Sequence, residues 1–384
     1  MRAHVDADAV VAATVALVGV DTQNPPGDER AAVAVARDLL GGFGARFEEI
    51  EPAPGRVSLL ATIGAADGSR PILLVNGHLD VVPVDRAGWT HDPFGGDIVD
   101  GRLYGRGTAD MKGGIAAAIE ALAALARAGR EPSCDLVFHL VADEELGGGL
   151  GTAVLVAGGR VRADACLVPE PTGLALCVAE RGLLTAVITL LGRPAHGSEP
   201  RRGISAVEKA AKVVLALHGA DFGGPGHPLL GRPTCNIGVI AGGSGHNIVA
   251  SHCRLEADRR VLPGVTREEA EAELRSHIDA IGDDELVYEM KTSVFGEASE
   301  LDAAHPFVGR LQSAMTAVLG GPQPIIGMPF ATDARFVRNQ AGVPAVVCGP
   351  GELAQAHTHD ESVAIDRLVD AAAVYAELFA TFAG

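Results

Sequence analysis

The sequence predicts an α/β protein with a mixed sheet that carries an inserted ferredoxin-like domain. Three observations predict it. Helix and strand patterns alternate through the first part of the chain, residues 181–295 follow the order β-α-β-β-α-β, and from Pro306 the chain returns to helix, strand and helix. Alternation implies an α/β layer with a parallel or mixed sheet, and the central order is the split βαβ pattern. At 384 residues the chain exceeds one typical core. Two domains are therefore expected, one from residues 1–180 with 296–384 and one inserted at 181–295.

Residues 6–20 and 28–42 read as helices. The apolar stretch Ala9–Val20 is expected to be an ordinary first helix rather than a secretory signal: it follows Asp6 and Asp8 rather than a basic region and ends at TQNPPG without a small-residue cleavage site. It is also too short to span a bilayer. Arg56–Ile63 and Pro71–Asn76 read as strands, Met111–Ala128 as a long Ala-rich helix, and Asp135–Val141 as a buried strand. Leu150–Ala157 is helical and Ala165–Val168 is another strand. The insert gives strands at Leu183–Leu191, Cys235–Ala241, His252–Val261 and Leu286–Val294, with helices at Ile204–Leu217 and Thr266–Ile281. A last strand at Ala345–Cys348 leads into GPGELAQAH.

Composition narrows the partners. The net charge is −18, and no Lys/Arg cluster exceeds the Arg201–Arg202 pair. Nucleic-acid binding needs cationic patches that displace phosphate counterions, so neither nucleic acid nor membrane is expected, and the partner is a small molecule. Cys134, Cys166, Cys177, Cys235, Cys253 and Cys348 include no C-x-x-C pair, and most lie in apolar runs. Buried thiols acting as small hydrophobes fit a reducing cytoplasm.

Five motifs place hard metal ligands at element ends: NGHLDVVP (76–83), GRGTADMKGG (105–114), VADEELGG (141–148), LVPEP (167–171) and GPGELAQAH (349–357). They offer His78, Asp110, Glu144, Glu145, Glu170 and His357. Open α/β sheets bind ligands at the carboxyl ends of their strands, so one rim of the sheet would collect all six. Imidazoles with carboxylates suit divalent cations such as zinc. Two cations about 4 Å apart need a bridging anion and terminal ligands on each side. Asp80, two residues past His78, is placed to hydrogen-bond the free imidazole nitrogen. Side chains of neighbours such as Glu144 and Glu145 point apart, so one can ligate while the other moves a proton from water to a leaving amine. The expected chemistry is two-metal hydrolysis.

These segments resemble the zinc amidohydrolase superfamily that includes acetylornithine deacetylase, succinyl-diaminopimelate desuccinylase, aminoacylase and bacterial glutamate carboxypeptidase. The likeness runs from TQNPPGDE through GHLDVVP, GRGTADMKGG, DEE, PEPT and GRPAHGS to GPGELAQAHTHDE. The resemblance implies a metallopeptidase-like catalytic domain, an inserted dimerisation domain and a homodimer. It implies Asp110 as bridging ligand, His78 and Glu170 on one metal, Glu145 and His357 on the other, Glu144 as general base and Asp80 orienting His78. It further implies a cis peptide after Asp110, two zinc ions per chain with cobalt able to substitute, and His359 as a rim residue. GRPAHGSEP gives His196, which the resemblance assigns to the tetrahedral oxyanion in the partner's site; GGSGHNIV and DRRVLPG give Asn247 and Arg260 for the substrate carboxylate or carbonyl, with Arg259 structural. Two positions depart from the pattern: Ala250 stands where the family often has Pro, and Asp333, a further substrate-binding candidate, stands where acetylornithine deacetylases tend to have Glu.

The expected reaction is hydrolysis of the amide bond of an N-acyl amino acid. A metal-dependent dipeptidase or carboxypeptidase using the same site is the alternative within enzymes. A non-catalytic amino-acid or metal binding protein is the alternative from another class; loss of a ligand or of Glu144 would favour it, and none is missing.

Overall fold

The computed structural model describes residues 1–383. The chain forms two compact units. One comprises Met1–Val178, Leu301–Ile326 and Thr332 onward; the other comprises Ala179–Glu300 with the short return Gly327–Ala331. The return belongs there because Met328 accepts a hydrogen bond from Arg181 N–H (3.0 Å) and Gly327 lies against Leu229 and Leu230.

The first unit opens with helices α1 (Ala7–Val18) and α2 (Arg30–Gly41), then the hairpin β1 (Arg46–Ala53) and β2 (Arg56–Ile63). Asp6 caps α1 by accepting from Asp8 N–H and Ala9 N–H. Strand β3 (Ile72–His78) follows, then the short β4 (Ile98–Val99) and β5 (Arg102–Tyr104), helix α3 (Lys112–Arg127) and strand β6 (Asp135–Val141). Helix α4 (Thr152–Ala157) leads to β7 (Ala165–Pro171) and β8 (Leu176–Glu180).

Unit two then builds β9 (Gly182–Leu191), α5 (Ala206–Leu217), β10 (Thr234–Gly242), β11 (His252–Val261), α6 (Arg267–Asp279), β12 (Val287–Gly296) and β13 (Ser299–Glu300). Its sheet is antiparallel in the order β10-β11-β9-β12. Strand β9 alternates, burying Leu184, Ala186, Ile188 and Leu190 against Ala210, Val213 and Leu217 of α5 and Leu274 and Ile278 of α6. Period two in the strand and 3.6 in the helices make this packing possible, and each buried Leu, Ile or Val contributes about 1.5–3 kcal/mol. A capping box of Thr266 and Glu269 starts α6.

The chain closes with α7 (Pro306–Leu319), β14 (Ile325–Met328), α8 (Ala334–Asn339), β15 (Ala345–Gly349), β16 (Ser362–Ala364) and α9 (Ile365–Thr381). The main sheet runs β1-β2-β6-β3-β7-β15-β8 and is mixed, as expected. Strands β6, β3, β7 and β15 are parallel, while β1, β2 and β8 pair antiparallel. The sequence reading missed β1, which is Glu-rich and largely exposed, and the short strands β4, β5, β8, β13, β14 and β16.

Helix α3 is Ala- and Gly-rich because it is buried along nearly its whole length. Gly114 is required: a Cβ there would lie 2.1 Å from the Pro169 carbonyl oxygen. That close approach brings the start of α3, and Asp110 before it, onto the end of β7, where Glu170 lies.

Candidate metal centre

Parallel pairing aligns the candidate ligands at one rim. His78 ends β3 in register with Val141, the last residue of β6, and Glu144–Leu146 form a short 3-10 turn beyond it. Glu170 lies within β7, and His357 follows β15 after a loop, with a left-handed φ of 62°. Asp110 precedes α3, and its bond to Met111 is cis.

Asp110 stands between two clusters. His78, Asp110 and Glu170 offer ligand atoms within 4.8 Å of one another, and so do Asp110, Glu145 and His357. His78 Nε2 is 3.1 Å from Asp110 Oδ1 and 3.5 Å from Glu170 Oε1. His357 Nε2 is 3.3 Å from Asp110 Oδ2 and 3.1 Å from Glu145 Oε2. Glu145 Oε1 is buried without a hydrogen-bond partner. An orphaned carboxylate oxygen beside two further carboxylates and two imidazoles fits a pair of divalent cations, whose ligands are N and O donors. The residues present therefore fit the metals that the motifs imply.

Charge within the site supports the same fit. Burial opposes the charged form of His78, but Glu170, Asp110 and Glu144 raise its pKa well above the ordinary value. Hydrogen bonds to Asp110 and Glu145 push His357 up to about 10. Burial also opposes ionisation of Asp110, yet hydrogen bonds from His357 and His78 hold its carboxyl far below the usual range. Burial first, then the Asp110 charge, raises Glu170. This anionic pocket favours positive charge wherever it can be placed.

Glu144 joins neither cluster. Its carboxyl is pushed well above the usual range, chiefly by burial, with the charges of Asp333 and Glu145 adding to the shift. Asp80 departs from expectation. The His78 imidazole is held through Nδ1 by the Asp80 main-chain carbonyl (2.9 Å), and the nearest Asp80 carboxylate oxygen is 3.7 Å away. The carboxylate accepts instead from Glu144 N–H and Glu145 N–H (3.2 Å each) and from Asn24 Nδ2 (2.9 Å).

Behind Asp80 lies a network that sequence reasoning missed. Arg56 donates to Glu29 (2.8 Å) and lies 3.1 Å from Asp143, whose carboxylate also accepts from Leu150 N–H (2.9 Å). TQNPPGDE contains Asn24 and Glu29 and was the available signal; Arg56, inside an apolar strand pattern, had none. Asp333 is buried, and a Cβ on Gly148 would come 2.3 Å from its Oδ1. His359 lies against Gly88, outside both clusters.

His196, Asn247 and Arg260 all belong to the second unit. His196 is exposed, and its Nδ1 accepts from Ser198 N–H (3.2 Å) and lies 2.7 Å from Ser198 Oγ. With Nδ1 accepting, the neutral ring carries its proton on Nε2. The Gly197 N–H to Asn247 carbonyl bond (2.7 Å) brings the His196 and Asn247 loops together. Arg260 forms a bidentate pair with Asp258 (2.8 and 3.0 Å). Arg259 is buried, bonded to Glu273 and stacked 3.7 Å over the Phe222 ring, a structural role. All six cysteines are free and buried, and among the described residues no helix is long and apolar enough to cross a membrane.

Comparison with known proteins agrees with this geometry. The model of peptidase family M20/M25/M40 matches residues 74–381. An acetylornithine deacetylase of Proteus mirabilis is 32% identical over 332 residues, covering 82% of this chain and 80% of the relative. The Edwardsiella ictaluri acetylornithine deacetylase is 31% identical, covering 89% and 88%. Among solved structures, an aminopeptidase from Bacillus cereus superposes with a TM-score of 0.80 at 21% identity, covering 98% of each chain. A dinuclear metal-binding peptidase from Bacillus subtilis superposes with a TM-score of 0.74 at 14% identity, again covering 98% of each chain. At such identities the structural likeness speaks for the fold.

Proposed function

The chain belongs to peptidase family M20/M25/M40 and is a hydrolase of amide bonds, and on that premise we propose that it deacylates an N-acyl amino acid. The observation that carries the reading is Asp110, one carboxylate shared by two ligand clusters with Glu144 beside them. The reading assigns two zinc ions per chain, with cobalt able to substitute, one to His78, Asp110 and Glu170 and one to Asp110, Glu145 and His357. When bound, the metal pair supplies Lewis acidity at the substrate carbonyl and makes water a better nucleophile at neutral pH.

The remaining work falls to side chains. Glu144 takes a proton from the attacking water and delivers it to the departing nitrogen, a task suited to a carboxyl whose pKa burial raises above the ordinary value. Asp80 holds the backbone from which Glu144 and Glu145 project. His196 offers its Nε2–H to the developing oxyanion of a partner chain's site, while Asn247 and Arg260 engage the substrate carboxylate or carbonyl and Asp333 lines the acceptor side. The reading includes a homodimer built on the second unit. Its edge strand β10 exposes Val239 and Ile240, and Ile248 is exposed nearby in the sequence, an arrangement open to strand pairing. Buried free thiols suit a reducing cytoplasm.

Cleavage of a dipeptide is the second reading, favoured by the peptidases among the structural neighbours. The relatives near 30% identity, by contrast, are acetylornithine deacetylases. The test is a screen of N-acetyl, N-succinyl and N-formyl amino acids against dipeptides with added zinc or cobalt, run with metal analysis of wild type and Asp110→Ala. Two ions in wild type, their loss in Asp110→Ala, and preferred turnover of an N-acyl amino acid are expected. Full activity in metal-free protein overturns the reading.

A further inference from the structure

We infer that Glu361 is a positioning residue that fixes Asp110, and with it the spacing of the two ligand clusters; this inference rests on the di-metal reading above. Glu361 is fully buried and immediately precedes β16. Its Oε1 accepts from three main-chain donors, Gly107 N–H (3.0 Å), Ala109 N–H (2.9 Å) and Asp110 N–H (3.1 Å). Its Oε2 pairs with Arg106. The Glu361 carbonyl in turn accepts from Gly105 N–H (2.8 Å).

The segment from Gly105 to Asp110 is neither helix nor strand, since β5 ends at Tyr104 and α3 begins at Lys112. Without Glu361, its N–H groups would lack a common partner in a buried environment, where unmade hydrogen bonds are costly. Gly107, at a φ of 91°, makes the convergence possible, because only glycine reaches that backbone region freely. Several N–H groups closing on one anionic oxygen make a compact, directional cradle. Glu361 is not itself in either ligand cluster, and its oxygens are already occupied.

The placement also couples the two clusters. His357 lies four residues before Glu361, in the same loop. Asp360, between them, accepts from Thr90 N–H (2.8 Å), Thr90 Oγ1 (2.7 Å) and His91 N–H (3.1 Å), which anchors that loop. One anchored segment thus presents His357 to one cluster and holds the main chain of Asp110, whose carboxylate both clusters share.

The test loads wild type, Glu361→Ala, Glu361→Gln and Asp110→Ala with manganese or cobalt. It measures stepwise ion affinity by competition with a chromophoric chelator and exchange coupling between the two ions by electron paramagnetic resonance. Melting temperatures of the metal-free proteins report on folding separately. Glu361→Ala should bind the ions about 10–100-fold more weakly, the usual effect of losing a residue that orients a ligand, and should lose the coupling. Glu361→Gln, which keeps an acceptor oxygen, should fall between. If the Ala variant does not fold, reduced coupling in the Gln variant at an unchanged melting temperature supports the inference. Wild-type affinity and coupling in a Glu361 variant, with Asp110→Ala defective, overturns it and leaves the di-metal reading standing. Failure of wild type to bind two ions overturns both.

Discussion

The His78 ring is held by the main-chain carbonyl of Asp80, 2.9 Å from Nδ1, while the Asp80 carboxylate turns away to the N–H groups of Glu144 and Glu145. Accepting at Nδ1–H leaves Nε2 unprotonated in the neutral ring, the form a metal requires. Asp80→Asn keeps the carbonyl but puts an amide donor against two N–H groups. It should leave the ion assigned to His78, Asp110 and Glu170 in place and lower kcat roughly tenfold or more. Loss of the His78 ion from Asp80→Asn would return the orienting role to the carboxylate.

Glu144 and Glu145 should separate by phenotype. Glu144→Gln is expected to retain both ions and the fold while kcat falls by about 10²–10⁴, the range for a placed proton shuttle. Glu145→Gln should weaken the ion shared with His357, since Glu145 Oε2 is 3.1 Å from His357 Nε2. Metal analysis by mass spectrometry alongside steady-state kinetics checks both, and reversed metal phenotypes refute the assignment within the pair.

His139 should give the protein an acid-sensitive stability independent of the metals. It is buried in β6 with Nδ1 unpartnered, and burial lowers its pKa to about 4. The unfolded chain binds this proton below about 6.5 while the folded chain resists it. Stability from this group is therefore full above that pH and lost as pH falls toward 4, by on the order of 3 kcal/mol. Urea denaturation of His139→Leu should show a flatter pH dependence than wild type between pH 7 and 4. An unchanged slope would mean that His139 does not titrate in this window.

His196 and Glu144 should complement across chains if the dimer reading holds. A His196→Ala chain keeps its metal ligands, and a Glu144→Ala chain can still lend His196. Co-expression with random pairing should restore about a quarter of wild-type activity, because about half the dimers are mixed and each has one complete site of two. Each variant alone should lie far below that level. No recovery in demonstrated mixed dimers would place His196 within its own chain or outside the reaction.

The legible part of this protein was whatever is written in local pattern. The alternation of Leu184, Ala186, Ile188 and Leu190 announced a half-buried strand, and His78, Asp110, Glu145, Glu170 and His357 each lie in a short motif at an element end. Chain order and strand polarity suffice to send such residues to one rim, because parallel strands all end on the same side. Tertiary structure alone decided which atom meets which. The 3.7 Å separation of the Asp80 carboxylate from His78, the Arg56–Glu29 pair and the three N–H groups on Glu361 join segments that sequence spacing does not relate. Buried polar groups must find partners wherever the fold brings them, and those partners are fixed by how distant loops pack. The sequence determined the candidate ligands and the order of the elements; packing determined the orientation of each candidate and the residues that hold it.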